Sequence, residues 1–193
     1  MQRAKTLGLF RAPGVILTVL IGFLVASPEA NSRKFEEYDI KAAFLYSFAQ
    51  FIERVPKNPS SPTSTLNYCT VHEGLVENAL KALIAVRQAE GEIRRYTLLA
   101  DWSDIEQCHF LFQGADSEKS EPIQLDPDES VITVGDSPGY AASGGMIEFQ
   151  RQGARVKVHV NLEVAKAHGI KISSKLLKLA TIYFPDDGEK VDD

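Results

Sequence analysis

The residues of this chain that could carry chemistry are four histidines, two cysteines, a serine–lysine run and one glycine-rich loop. The histidines are His72, His109, His159 and His168. None has a partner at i+4, and none stands in a His-x-His or His-Glu-x-x-His arrangement, so the usual zinc spacings are absent. His72-Glu73 is the nearest approach to an acid–base pair. It follows a predicted strand and reads as a solvated loop. Ser173-Ser174-Lys175 has the composition of a Ser/Lys nucleophile pair, but a serine capping the helix that follows explains the run without catalysis. Cys69 and Cys108 form no Cys-x-x-Cys motif, which argues against a redox site.

The remaining candidate is a binding element. Gly135, Asp136, Ser137, Pro138, Gly139 and Tyr140 follow a predicted strand and precede a predicted short helix, the place where ligands bind in open α/β sheets. Amide groups of such a loop can hold an anion. The loop lacks the Gly-Lys-Ser/Thr of a P-loop and the G-x-G-x-x-G of a dinucleotide site. A tight strand-to-helix turn is the competing account. Gly144-Gly145, just downstream, suits a bulge or a close backbone approach. No metal site, cofactor site or catalytic residue is expected.

Hydrophobic periodicity supplies the elements around these residues. Glu36 to Arg54 predicts a first helix with a broad apolar face. Residues 55–65 (VPKNPSSPTST) predict a long surface loop. An alternation follows: strand Leu66 to Val71, helix Leu75 to Val86, strand Ile93 to Leu99, a short turn or helix at Ser103 to Gln107, strand His109 to Phe112, a weak helix at Glu118 to Leu125, and strand Val131 to Val134. That rhythm predicts a mostly parallel sheet flanked by helices, in a single α/β domain. Met146 to Gln150 and Arg155 to Val160 alternate in polarity and form a hairpin signal through Gln152-Gly153. Two helices should follow, Leu162 to His168 closed by Gly169, and Lys175 to Ile182. A phosphoacceptor receiver domain shares this rhythm, but its acidic residues are missing at the strand ends, where His72-Glu73 and Gln113-Gly114 stand instead.

Arg3, Lys5 and Arg11 followed by the apolar run Val15 to Val25 have the layout of a cleavable secretory leader covering residues 1–30. A retained signal anchor is the alternative, although the run is short for a membrane span. Cleavage could follow Ala26 or Ala30; after Ala26, three of the 21 Lys+Arg leave and 18 face 26 Asp+Glu, so the net charge goes from −5 to −8. An acidic exported chain disfavours nucleic acid as a partner. In an oxidising compartment the even cysteine count fits one intramolecular disulfide, with two buried free thiols as the alternative. Residues 31–185 then form the domain, and 186–193 an acidic disordered tail.

Four blocks of this sequence resemble the YfiR-like family of periplasmic regulators. They are KAAFLYSFAQFIE (Lys41 to Glu53), the cysteines Cys69 and Cys108 with the second inside CHFLF, VITVGDSPGYAASGGMIEF (Val131 to Phe149), and VNLEVAKAHGIKISSKLLKLA (Val160 to Ala180). Glu148 departs from the asparagine often found there, and the segment around His72 is atypical. The resemblance implies a Cys69–Cys108 disulfide and a homodimer. It also implies a non-enzymatic repressor that binds the periplasmic sensor region of an inner-membrane diguanylate cyclase, and so controls cyclic di-GMP and biofilm. An outer-membrane lipoprotein is the implied antagonist. A periplasmic small-ligand-binding protein serving a membrane sensor is the second expectation, with Gly135, Asp136, Ser137, Gly139 and Tyr140 as its ligand or partner loop.

Overall fold

The computed structural model describes residues 36–54, 65–117, 121–126 and 129–184, all within one compact unit, Lys34–Asp193. The expected leader, most of the proline-rich connector and the acidic tail lie outside the described residues. The elements in chain order are α1 (Glu37–Ser47), β1 (Ile52–Arg54), β2 (Leu66–Thr70), α2 (Leu75–Ala89), β3 (Arg94–Leu98), a 3-10 segment (Trp102–Gln107), β4 (Phe110–Gln113) and β5 (Ile132–Gly135). Then come β6 (Ile147–Gln152), β7 (Arg155–Asn161), α3 (Leu162–Ala167), β8 (Ile170–Ile172), α4 (Ser174–Leu177) and β9 (Thr181–Tyr183). A seven-stranded sheet runs in the order β3-β2-β4-β5-β6-β7-β9, and β1 pairs with β8 in a small second sheet. Every pair in the large sheet is parallel except the β6–β7 hairpin. Among the described residues no helix is long and apolar enough to cross a membrane.

Alternation along the central strands makes two cores. Tyr68, Phe110, Phe112, Ile132 and Val134 point to the face covered by α1 and α2, where Leu45, Phe48, Leu80 and Ile84 meet them. Cys69 and Leu111 point the other way, into a smaller cluster with Leu99, Ile105, Cys108 and Val131. That second face is covered by the 3-10 segment and by Ile123 and Leu125 rather than by a long helix. Cys69 and Cys108 are bonded across it, with Cα atoms 5.7 Å apart. Cys108 sits just before β4, as the cap of the 3-10 segment, and not within a strand. Where α1 meets the sheet, the Arg94 guanidinium lies 3.8 Å over the Tyr46 ring and donates to the Tyr46 carbonyl at 2.8 Å. Tyr46 in turn hydrogen-bonds Glu92, and burial together with that contact pushes its hydroxyl up to about 12.

Several expected boundaries move. The first helix ends at Ser47, because Ile52–Arg54 is recruited as β1 by antiparallel pairing with Ile170–Ile172. The last helix stops at Leu177, and Thr181–Tyr183 becomes β9, a parallel neighbour of β7. Tertiary pairing overrides helical periodicity in both places. Residues 121–126 are not helical: Gln113 holds them extended, donating to the Glu121 carbonyl at 2.9 Å and accepting from the Ile123 amide at 3.3 Å. The hairpin turns at Gly153-Ala154, since Gln152 pairs with Arg155 and Gly153 takes a φ of 61°.

Candidate functional site

The chain leaves β2 through α2 to β3 on one side, then crosses back to β4 on the other. That reversal of strand order opens a crevice at the carboxyl ends of β2 and β4, the position favoured for ligands in open α/β sheets. A cleft of about 200 Å³ lies there. Its walls come from α1 (Glu37, Tyr38, Lys41), the β2–α2 turn and first turn of α2 (His72, Gly74, Glu77), the segment after β4 (Gly114, Ala115, Asp116) and Asp136 after β5, with Phe112 among the lining groups.

Charge within the cleft divides unevenly. Lys41 is nearly buried, and its Nζ lies 2.8 Å from Asp136 Oδ2 and 2.8 Å from Glu37 Oε1. Burial works against the ammonium, but the hydrogen bonds and charges of Asp136 and Glu37 outweigh it and hold the lysine above its ordinary pKa. Asp136 Oδ1 accepts the Ala115 amide at 2.6 Å, and Glu37 also pairs with Arg151 at 3.2 Å. This half of the site is electrically closed. Glu77 is different. Its residue is 3% exposed, and burial raises its carboxyl pKa above the usual range, against the smaller effects of its own backbone amide and of His72. Among the described residues the cationic candidate facing it is His72, whose Nδ1 stands 3.9 Å from Oε1, beyond hydrogen-bond reach. That nitrogen is buried without a hydrogen-bond partner. Gly74 and Gly114 make room for the carboxylate. A Cβ on Gly74 would lie 2.6 Å from Glu77 Oε2, and one on Gly114 2.8 Å from Oε1.

Of the five loop residues expected to bind, Asp136 alone lines this cleft. Gly135 closes β5, and Tyr140 is buried, donating to Gln113 Oε1 at 2.6 Å. No helix follows the loop; residues 137–144 make a succession of bends and turns. The amides expected to attract an external anion meet an internal one. Glu148 is 3% exposed and accepts from Gly139 N at 3.1 Å and Ala141 N at 3.0 Å. Ser137 Oγ is buried without a partner. The disulfide lies with the other core, on the opposite face of the sheet. His72, half-buried, faces Glu77 and not Glu73, which is exposed and lies 3.7 Å from Lys81. Ser173 Oγ accepts the Lys175 amide at 3.1 Å, so that serine serves as a cap. Among the described residues no group of three His, Cys, Asp or Glu is placed to hold a metal.

Residues 38–181 match the YfiR/HmsC-like family, from the first turn of α1 into β9. The chain belongs to that family. YfiR/HmsC-like proteins are periplasmic regulators. A solved structure, that of a conserved domain protein from Vibrio cholerae O1 biovar eltor, is similar at 9% identity with a TM-score of 0.45, covering 76% of this chain and 60% of that one. This chain thus spans about three-fifths of that protein's length. No curated protein matches it.

Lys41, Glu37, Glu77 and Asp116 were not singled out by spacing or motif. A signal for two of them exists all the same. Lys41 stands on the stripe that continues through Leu45 and Phe48, and Glu77 on the stripe of Leu80 and Ile84. A charged residue on a buried stripe is costly unless something compensates it, and that is a reason to look there.

Proposed function

We propose that this YfiR/HmsC-like chain is exported through a cleaved leader and acts by binding, not catalysis. In this reading it represses an inner-membrane signalling protein, a diguanylate cyclase, by docking on that enzyme's periplasmic sensor region. The observation that carries the proposal is the family match over residues 38–181, which takes in nearly all of the folded unit. The Cys69–Cys108 disulfide supports export, because such bonds persist in oxidising compartments. A homodimer and an antagonist lipoprotein of the outer membrane belong to the same proposal. Its test is periplasmic cross-linking of the tagged full-length protein in its own host, with cyclic di-GMP measured after deletion. Capture of a membrane cyclase and a rise in cyclic di-GMP are expected. Capture of no membrane signalling protein, with cyclic di-GMP unchanged, would overturn the proposal.

One observation favours a second reading, a periplasmic small-ligand binder serving a membrane sensor: the cleft at the strand-order reversal, where among the described residues one buried carboxylate lacks a close cation and one imidazole nitrogen lacks a hydrogen-bond partner. The two readings are compatible if the ligand sets the docking state. Of the loop residues Asp136 lines that cleft, while Gly135, Ser137, Gly139 and Tyr140 lie in the turn beside it.

A further inference from the structure

We propose that the cleft between α1, α2 and the carboxyl ends of β2, β4 and β5 binds a small organic cation bearing an ammonium group, and that Glu77 is its counter-ion. This rests on the ligand-binding reading above and names the chemical class.

Three independent observations converge on it. The first is charge. The cleft is lined by four carboxylates, Glu37, Glu77, Asp116 and Asp136, against one lysine and one histidine. Lys41 has two of its three donors taken by Glu37 and Asp136 at 2.8 Å each, and its charge is met by two carboxylates, so it attracts an incoming anion only weakly. Among the described residues Glu77 has no cation within hydrogen-bond distance. A negatively charged ligand would meet uncompensated carboxylate, and a cation would supply what the buried site lacks.

The second is shape. Gly74 and Gly114 lie against the two oxygens of the Glu77 carboxylate, one against each, and any side chain there would displace it. The carboxylate is therefore held in a formed cradle. An ammonium group, with three donors in a compact head, suits a carboxylate approached from the open side of the cleft. The third is the orphan nitrogen. His72 Nδ1 is buried, faces Glu77 and has no partner, so one polar atom in the wall is left for a hydroxyl or a second donor of the ligand. The volume, about 200 Å³, is below the roughly 300–1,000 Å³ of sites for drug-sized molecules, which sets the ligand at the size of an amino alcohol or a diamine.

The experiment uses the purified mature protein with its disulfide intact. Ethanolamine and putrescine are titrated at up to millimolar concentration by calorimetry and ligand-observed NMR, beside glycolate and succinate as their anionic counterparts. Saturable binding of the amines and none of the acids is expected. E77Q keeps the size of the side chain and removes its charge, and should weaken amine binding at least tenfold while circular dichroism shows an unchanged fold. G114A keeps the charge, crowds the carboxylate, and should also weaken binding. If the acids bind and the amines do not, the amine assignment falls and the ligand-binding reading stands. If neither set binds, both fall, and the repressor proposal is judged by its own cross-linking test. Amine binding undiminished by E77Q overturns the role of Glu77.

Discussion

Replacing Gly145 by alanine should damage this fold far more than the gain of one methyl suggests. Tyr140 is 1% exposed, and its ring lies between two glycines. A Cβ on Gly145 would fall within 3.0 Å of Cδ1, Cε1 and Cζ of that ring, and a Cβ on Gly135 within 3.0 Å of Cγ, Cδ2 and Cε2. The glycines therefore press on opposite edges, and the ring cannot give way to one without meeting the other. Its hydroxyl is pinned as well, by the bond to Gln113 Oε1 at 2.6 Å. Gly145 is not among the glycines with positive φ, so alanine there carries no backbone strain and the whole cost is steric. Overpacking of a well-filled core costs about 1–3 kcal/mol, and a ring hemmed in from both edges puts Gly145→Ala near the top, at about 3 kcal/mol.

Gly144 is the control, because its reason for being glycine is the opposite. It has a φ of 104° and open space around its Cα, so Gly144→Ala costs only backbone strain, about 1–2 kcal/mol. Urea unfolding followed by circular dichroism reads both variants. With a slope of about 2 kcal/mol/M, Gly145→Ala should lower the midpoint by about 1.5 M. Tyr140→Leu removes the obstructing ring, so the Gly145→Ala penalty should largely vanish in that background, and the Gly144→Ala penalty should persist. A Gly145→Ala protein within about 0.5 kcal/mol of the wild type, or one equally destabilised with and without the tyrosine, would refute the reasoning.

Three further outcomes are expected. The disulfide closes a 39-residue separation, so Cys69→Ala with Cys108→Ala should cost about 4 kcal/mol on the chain-entropy model, read as a fall in urea midpoint; two free thiols in non-reducing mass spectrometry of exported protein would contradict the bond itself. Glu148→Gln sets an amide N–H₂ or a lone acceptor where two backbone donors now converge, and should cost about 2 kcal/mol while hydrogen exchange speeds at Gly139 and Ala141; unchanged exchange there would remove Glu148 as the anchor of the loop. Glu77 titrates above its unfolded value, facing His72, Asp116 and Asp136, so the native state holds its proton longer than the unfolded chain does. The contribution of Glu77 to stability is then fully present below the ordinary carboxylate range and is lost as pH rises through the folded pKa. Glu77→Gln should abolish that part of the pH slope, and an unaltered slope would show that another group produces it.

Much of this architecture was legible in the sequence because its signals are local. Strands β2, β4 and β5 are short runs of apolar, β-branched and aromatic residues with turn residues near their ends, and α2 carries a clean stripe through Leu80 and Ile84. What escaped was set by pairing between distant segments. Nothing within FIER says that Ile52–Arg54 will meet Ile170–Ile172, and nothing in TIY distinguishes the end of a helix from a strand laid beside β7. The glycine block at 135–145 was visible, but its purpose was not. Two of its glycines serve the Tyr140 ring, and its amides are answered by Glu148, a residue marked in the sequence only as a departure from the family pattern.

A glycine-rich loop draws attention because free amides bind anions, yet here the Gly139 and Ala141 amides already donate to Glu148, and Asp136 is held by the Ala115 amide. Asp136 fixes Lys41, and Lys41 ties α1 to the end of β5. The chain of fixed charges stops there. Glu77 stands across the cleft on α2, buried like Lys41 but without its close opposite charges. One buried ion is thus compensated by two carboxylates, while among the described residues the neighbouring carboxyl faces only a histidine 3.9 Å away. Because α1 and α2 pack on each other over the same face, an ion arriving at that point acts on both helices at once. A bound cation would sit between Lys41 on α1 and Glu77 on α2, away from the cluster that holds the disulfide.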